Sequence, residues 1–242
     1  MDLDKLAEAA KDYRYLLDRG YPRKPSLDLV VSRYVLNHSD RMALYRCVHT
    51  SKEARSVRSK LCIACTRIVL DLFNNLITIL AIIKSEPVYL CDDCLVRDVR
   101  GSKIRRGDEP FIDYAVKLLV QGILLAKPVR VEIVCDKNVS FSLRYARLVE
   151  EALCREKVVA SIHLASKADV TTIDLCRALD ACAASTDFVV CSNVPRIYPL
   201  TTIVLLLLRK APLFDFATLF ETPCKDLEYV QHGIYAKHER DD

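Results

Sequence analysis

Arg67-Ile-Val-Leu-Asp71 is a short apolar run that ends in an acid, and two later stretches repeat the pattern: Pro87-Val-Tyr-Leu-Cys-Asp-Asp93 and Val129-Arg-Val-Glu-Ile-Val-Cys-Asp136. A fourth run, Asp187-Phe-Val-Val-Cys-Ser-Asn193, ends in an amide instead. Brief Val- and Ile-rich runs separated by helical periodicity predict buried parallel strands. Ligands bind such sheets at the carboxyl ends of the strands. Acids collected there repel one another unless a cation lies between them, and Mg²⁺ or Mn²⁺ prefers oxygen ligands. The plainer reading is that an Asp at a strand-to-helix junction caps the helix. Three strand ends of this kind in one sheet shift the balance toward a divalent metal site.

Working outward, strands are expected at 67–71, 87–92, 129–135, 158–164 and 187–192. Helices are expected at 74–84, from Asp108 to about 126, from Ser140 to about 156, at 170–184 and near 197–210. Alternating strand and helix predicts an α/β fold, a mostly parallel central sheet covered on both faces. Residues 1–60 contain no strand-like run. Leu3, Leu6, Ala9, Ala10, Tyr13, Leu16 and Leu17 recur at helical spacing, and Gly20 and Pro22 end that helix. Pro25-Ser26 opens a second helix and Ser39 a third, so a small all-α domain precedes the sheet. Its last two helices resemble a helix-turn-helix, a pair that any helical bundle contains. The expected organisation is 1–60 helical, 61–222 α/β and 223–242 a polar tail.

Charge divides along the same line. Residues 1–60 hold 13 Lys and Arg against 8 Asp and Glu, and residues 61–242 hold 23 against 24. A basic helical unit beside a near-neutral unit with clustered acids suggests a polyanionic partner near a metal. The loop 93–107 sharpens this. Arg97, Arg100, Lys103, Arg105 and Arg106 crowd beside Asp98, as a solvated surface loop or as a phosphodiester-binding one. With only 5 glycines and no Walker A sequence, a phosphate-cradling glycine loop is excluded. The five His are scattered, and no nucleophile motif is present.

The eleven cysteines stand out in a chain with no Trp and with Gln only at 121 and 231, a composition that hints at a thermophile. Cytosolic disulfides are rare except in hyperthermophiles, so a bridge is plausible here, its pairing unreadable. Cys62-x-x-Cys65 with Cys91-x-x-Cys94 has zinc-site spacing. Disulfides or buried thiols fit equally well, because the second pair straddles a strand end and encloses two acids. The acidic N-terminus Met-Asp-Leu-Asp-Lys has no signal-peptide core, and no apolar run is long enough for a membrane span, so a cytoplasmic protein is expected.

Several motifs in order carry a family resemblance. They are Tyr15-Leu-Leu-Asp-Arg-Gly-Tyr-Pro-Arg, Val31-Ser-Arg-Tyr and Arg41-Met-Ala-Leu-Tyr-Arg, then Asp71-Leu-Phe-Asn74, Asp92-Asp-Cys-Leu-Val-Arg97-Asp98, Asp136-Lys-Asn-Val-Ser140-Phe-Ser142 and Cys191-Ser192-Asn193. Over roughly residues 10–215 the chain resembles an uncharacterised, mostly archaeal family with a small helical domain before a PIN/NYN-like domain. The resemblance implies a three-layer α/β/α sandwich that cuts RNA with Mg²⁺ or Mn²⁺ held by acids at the carboxyl edge of the sheet. Asp71, Asp93 and Asp136 would hold the ion, with Asn193 at a fourth corner where the family tends to have an acid. Asp98 would orient water or pair with Arg97. Asn74 and Ser140 would assist, and the loop cations Arg97, Arg100, Lys103, Arg105 and Arg106 would hold the RNA backbone. Leu72, Cys94 and Leu143 replace glycines of the family pattern, and bulk there would narrow the groove. The competing expectations are an RNA-binding module without catalysis, favoured by the neutral Asn193, and a structural protein stapled by cysteines.

Overall fold

The computed structural model describes residues 2–101 and 104–224. Lys103 and the tail from 225 onward lie outside the described residues. Four helices come first: α1 Leu3–Asp18, α2 Arg23–Tyr34, α3 His38–Cys47 and α4 Ser51–Arg58. Each start has a local cause. Asp2 accepts from the Lys5 amide at 3.1 Å, Asn37 accepts from the Asp40 amide at 2.9 Å, and Thr50 forms a reciprocal capping box with Glu53. Asn37, rather than Ser39, therefore caps the third helix.

The α/β part follows as β1 Arg67–Asp71, α5 Leu72–Ile83, β2 Val88–Leu90, β3 Val96–Asp98, a 3-10 turn at Arg106–Phe111, α6 Ile112–Leu124, β4 Arg130–Asp136, α7 Ser142–Arg155 and β5 Val159–Ala165. It continues with α8 Ala168–Leu179, β6 Cys182–Ala184, α9 Phe188–Asn193, β7 Arg196–Ile197, α10 Leu200–Leu207, β8 Phe214–Asp215 and α11 Phe216–Leu219. The main sheet has the order β5-β4-β1-β6-β7, every pair parallel. The first strand lies at the centre, and the chain fills one side and then the other. The direction of winding therefore reverses between β1 and β6, where a ligand crevice forms in sheets of this kind.

Both faces of the sheet are buried, because alternate residues of one strand enter different cores. Ile68 and Leu70 of β1 pack with α5, α6, α7 and α10, while Val69 packs with α8 and α9. The architecture is α/β with helices on both faces of a parallel sheet.

Two expected strands are corrected. The stretch 87–92 contributes only β2, and β2 belongs to a separate three-stranded sheet, order β3-β2-β8, in which β3 runs antiparallel to it. The expected loop 93–107 therefore contains a strand, and Asp92 and Asp93 sit in the connection of a hairpin, not at the end of a main-sheet strand. The stretch 187–192 is helix α9, started by Asp187, whose Oδ1 accepts from the Val189 amide at 2.7 Å and the Val190 amide at 3.2 Å. The strand at this position is β6, inside the segment expected to be helical. The preceding helix stops at Leu179 because Asp180 turns left-handed, φ +49°.

The helical region is not packed as a separate body. Tyr13, Leu27, Val30 and Leu44 share a core with Tyr89, Cys91 and Phe216 of the small sheet and α11. Val57 of α4 joins the α8–α9 core. No helix among the described residues is long and apolar enough to cross a membrane.

Candidate active site

Asp71 ends the central strand and precedes α5, yet its side chain does not cap that helix. Instead Oδ2 accepts from Asn74 Nδ2 at 2.6 Å and from Ser185 Oγ at 2.7 Å. Ser185 follows β6, so the bond crosses the reversal point of the sheet. Burial pushes the Asp71 carboxyl up to about 6, the Ser185 and Asn74 hydrogen bonds offset part of that, and the nearby Asp187 charge adds to it.

A cleft of about 400 Å³ opens over these residues. Its walls include Asp71, Asn74, Asp98, Asp136 and Asp187, together with Tyr45 and Arg46 of α3. Asp136, at the end of β4, is half-buried and turns its Oδ1 toward the Asn138 amide at 2.7 Å. A neighbouring cleft of about 710 Å³ shares Asp136 and Val139 and adds Arg105, Arg106, Ser140 and Phe141. On the other side a cleft of about 360 Å³ shares Tyr45, Arg46 and Asp187 and reaches Arg23 and Phe188. The three clefts adjoin along the carboxyl edge of the sheet, with four acids in the middle, Arg105 and Arg106 beside Glu109 at one end, and Arg23 beside Glu53 at the other.

The fold brings together Asp71, Asn74, Asp98 and Asp136, with Ser140, Arg105 and Arg106 beside them. Asp98 is an anchored acid: Oδ2 accepts from Thr78 Oγ1 at 2.7 Å, Oδ1 accepts from the Arg100 amide at 2.7 Å, and Arg46 pairs with it at 3.5 Å. It pairs with Arg46 and not with Arg97.

Four expected assignments are corrected. Asp93 is fully buried and its two oxygens accept from Arg97 at 2.8 and 2.6 Å, so it is not exposed to the groove as a ligand. Burial would raise the Asp93 carboxyl, but the Arg97 guanidinium reverses this and holds it below the usual range. Arg97 is correspondingly no phosphate binder: it is 1 % exposed, and its Nε donates to the Thr186 carbonyl at 2.7 Å, bracing the segment that carries Asp187. Arg100 is similarly spent, on Asp108 at 2.6 Å and Glu86 at 3.0 Å. Asn193 is exposed at the far end of α9, its Nδ2 donating to the Val189 carbonyl at 2.8 Å, and it does not line the groove. Asp187 lines the groove on that side, its amide donating to Ser185 Oγ at 3.1 Å. Sequence reading placed Asp187 at the start of a strand, and the overlooked signal was its position directly before a helix as a capping acid.

Two groups of three side chains bring metal-ligating atoms within 4.8 Å of one another among the described residues: Cys62, Cys65 and Cys182, and His49, Asp92 and Asp93. Neither includes the groove acids. In the first, Cys65 and Cys182 are joined by a disulfide, and a second disulfide links Cys94 to Cys224. The four cysteines with zinc-site spacing, Cys62, Cys65, Cys91 and Cys94, are therefore divided in favour of the disulfide alternative, with Cys91 in the core of the helical region. In the second group, Asp92 accepts from His49, whose Nδ1 lies 2.7 Å away, and pairs with Arg14. With Asp93 taken by Arg97, that group is an ion-pair network holding the helical region to the sheet. Of the glycine replacements, Leu72 is buried in the main core and does not narrow the groove, and Cys94 holds φ +67° with its side chain in the disulfide.

Comparison with known proteins adds the family. Residues 5–60 match the family described as Protein of unknown function (DUF434). Residues 62–203, more than half of the chain, match the family described as Domain of unknown function (DUF5616). The chain belongs to the DUF5616 family. Every groove acid named above lies within the DUF5616 region, while Tyr45, Arg46 and Arg23 come from the DUF434 region. A relative in Methanocaldococcus jannaschii, the uncharacterized protein MJ0935, is 31 % identical over 152 residues, which span 61 % of this chain and 73 % of the relative. No solved structure matches.

Proposed function

We propose that the protein is a PIN/NYN-like phosphodiesterase that cuts RNA with the help of Mg²⁺ or Mn²⁺. The observation that carries this is the convergence of Asp71, Asp136 and Asp187 on one groove at the reversal point of a parallel sheet. Asp71 is buried, Asp136 and Asp187 are half-buried, and none of the three pairs with a cation among the described residues; a buried acid with a raised pKa at such a point is characteristic of a functional site. The donor set fits a hard divalent ion, since it consists of carboxylate oxygens with Asn74 nearby. The ligand oxygens of these three acids are not all within 4.8 Å of one another, so one or two of them would bind Mg²⁺ directly and the rest through its waters.

Asp71, Asp136 and Asp187 would hold the ion, and a bound divalent cation neutralises phosphate charge and lowers the pKa of an attacking water. Ser185 and Asn74 fix the Asp71 carboxylate. Asp98 keeps Arg46 at the groove wall. Arg105 and Arg106 at one end would contact the phosphates of the strand. The competing view, a binding module without catalysis, rests on Asn193 and the replaced glycines; Asn193 lies outside the groove, and Leu72 lies in the main core.

The test is cleavage of labelled single-stranded and structured RNAs by the purified protein. Products are expected with Mg²⁺ or Mn²⁺ and none with EDTA. Asp71→Asn and Asp187→Asn are each expected to lower the rate by more than the roughly 10–100-fold that loss of a supporting group costs, and to weaken Mn²⁺ binding measured by electron paramagnetic resonance. Absence of cleavage with both ions, or wild-type rates for both variants, would refute the proposal.

A further inference from the structure

The cleft of about 360 Å³ at the DUF434 end of the groove has a different chemistry from the acidic centre. Two aromatic rings stand in its walls, Tyr45 from α3 and Phe188 from α9. Tyr45 is 46 % exposed, although its neighbours Ala43, Leu44 and Cys47 on α3 are buried in a core. Phe188 is stiffened from behind, because the fully buried His49 ring stacks on it at 3.8 Å with an interplanar angle of 13°. His49 is itself fixed through Nδ1 to Asp92, and its buried Nε2 has no hydrogen-bond partner among the described residues.

A cation completes the arrangement. The Arg23 guanidinium lies 5.1 Å from the Tyr45 ring centroid and 6.0 Å from that of Phe188, and it donates to the Val48 carbonyl at 3.1 Å. Two rings with an arginine between them form a platform for a flat π-system. The cleft shares Asp187 with the acidic centre, so a flat group held here is placed directly beside the proposed metal ligands.

We infer that this cleft is a nucleobase subsite, which takes one unpaired base next to the phosphodiester in the acidic centre and makes the protein selective for single-stranded RNA. The inference rests on the phosphodiesterase reading for the identity of the strand. A base can reach such a platform only when it is out of a duplex, and aromatic stacking is how unpaired bases are held. It gives the helical region a role: α2 and α3 supply the wall that reads the strand, while the sheet supplies the acids.

The experiment is binding of a fluorescein-labelled single-stranded oligoribonucleotide to the full protein in EDTA, followed by anisotropy. Tyr45→Ala is expected to weaken binding about tenfold, and Tyr45→Phe to stay within about twofold, since the ring is retained. The slope of log Kd against log salt is expected to be unchanged, because no ionic contact is removed. Replacing one base of the oligonucleotide with an abasic site is expected to cost the wild type about tenfold at one position and to cost Tyr45→Ala nothing there. A Tyr45→Ala protein that binds like the wild type overturns the subsite. So does a wild type that binds duplex as well as single strand, or neither. The measurement contains no metal and no turnover, so it separates the two claims. The expected pattern without Mg²⁺-dependent cleavage would retain the subsite and remove the nuclease. Cleavage with no Tyr45 effect would do the reverse.

Discussion

Replacing Asp71 with Asn is expected to make the protein more stable above pH 7, while weakening its hold on divalent cations. Asp71 is 4 % exposed, and its carboxyl is raised from the ordinary value 3.8 to about 6, first by burial. The folded state therefore prefers the protonated acid. Stability linked to this group is fully present below pH about 4 and is lost as the pH rises through about 6. Above pH 7 the ionised carboxylate costs the fold about 3 kcal/mol, from 1.36 kcal/mol per pH unit between the two values. Asn cannot ionise and escapes that cost. It keeps a carbonyl oxygen as acceptor for Asn74 and Ser185, at a loss of about 1 kcal/mol of hydrogen-bond strength.

The assay is thermal and urea unfolding of wild type and Asp71→Asn from pH 4 to 8, with and without Mg²⁺. The stability difference, variant minus wild type, should grow by about 3 kcal/mol across that range, equivalent to about 6–12 °C in Tm for a chain of this size. Added Mg²⁺ should narrow the gap at pH 8, because an ion held by the native wild type stabilises it by about 1.4 kcal/mol at ten times Kd and the variant by less. Binding of the ion should also fail in the wild type as the pH falls below about 6. A difference that stays constant from pH 4 to 8 would show that Asp71 carries no unfavourable charge, and the argument for a poised carboxylate would fall with it.

Three further outcomes test the surrounding structure. Arg97→Met leaves Asp93 buried without its cation and should cost about 3–5 kcal/mol in urea unfolding, much of it recovered when Asp93 is replaced by Leu in the same chain. Reduction should lower Tm markedly, since the bridges Cys65–Cys182 and Cys94–Cys224 join residues 117 and 130 apart and each contributes about 4.7 kcal/mol in the loop-entropy picture; an unchanged melt in reductant would contradict the bridges. Asn193→Asp should leave RNA cleavage and Mn²⁺ binding within about twofold, because that side chain lies outside the groove, in contrast to the loss expected for Asp187→Asn.

Much of the α/β framework was legible because its signals are local. The runs at 67–71 and 129–135 became β1 and β4 nearly residue for residue, since continuous Ile and Val with a bounding acid fit a strand buried on both faces. Asp71 and Asp136 were legible as strand-end acids for the same reason, and the fold sets both on one cleft. The segment Cys182-Ala-Ala was not. Three small side chains carry almost no strand signal, and it is a strand because Ile68, Val69 and Leu70 of the central strand pair with it. The run Phe188-Val-Val looks like a strand and is a helix, because Asp187 caps it and the sheet position is already occupied.

The acids divide along the same line. That aspartates would end the apolar runs, that the first 60 residues would be helical and basic, and that the sheet would be parallel were determined by the sequence alone, through side-chain periodicity and helix punctuation that act over a few residues. Which aspartates share a groove was decided only by the tertiary structure. Asp93 looked equivalent to Asp71, but the hairpin turns it under Arg97, while Asp187 enters from the strand on the other side of β1. Burial and charge pairing depend on partners tens of residues away, such as Ser185 on Asp71 and His49 and Arg14 on Asp92. Those contacts determine whether a carboxylate braces the fold or stands ready for a cation.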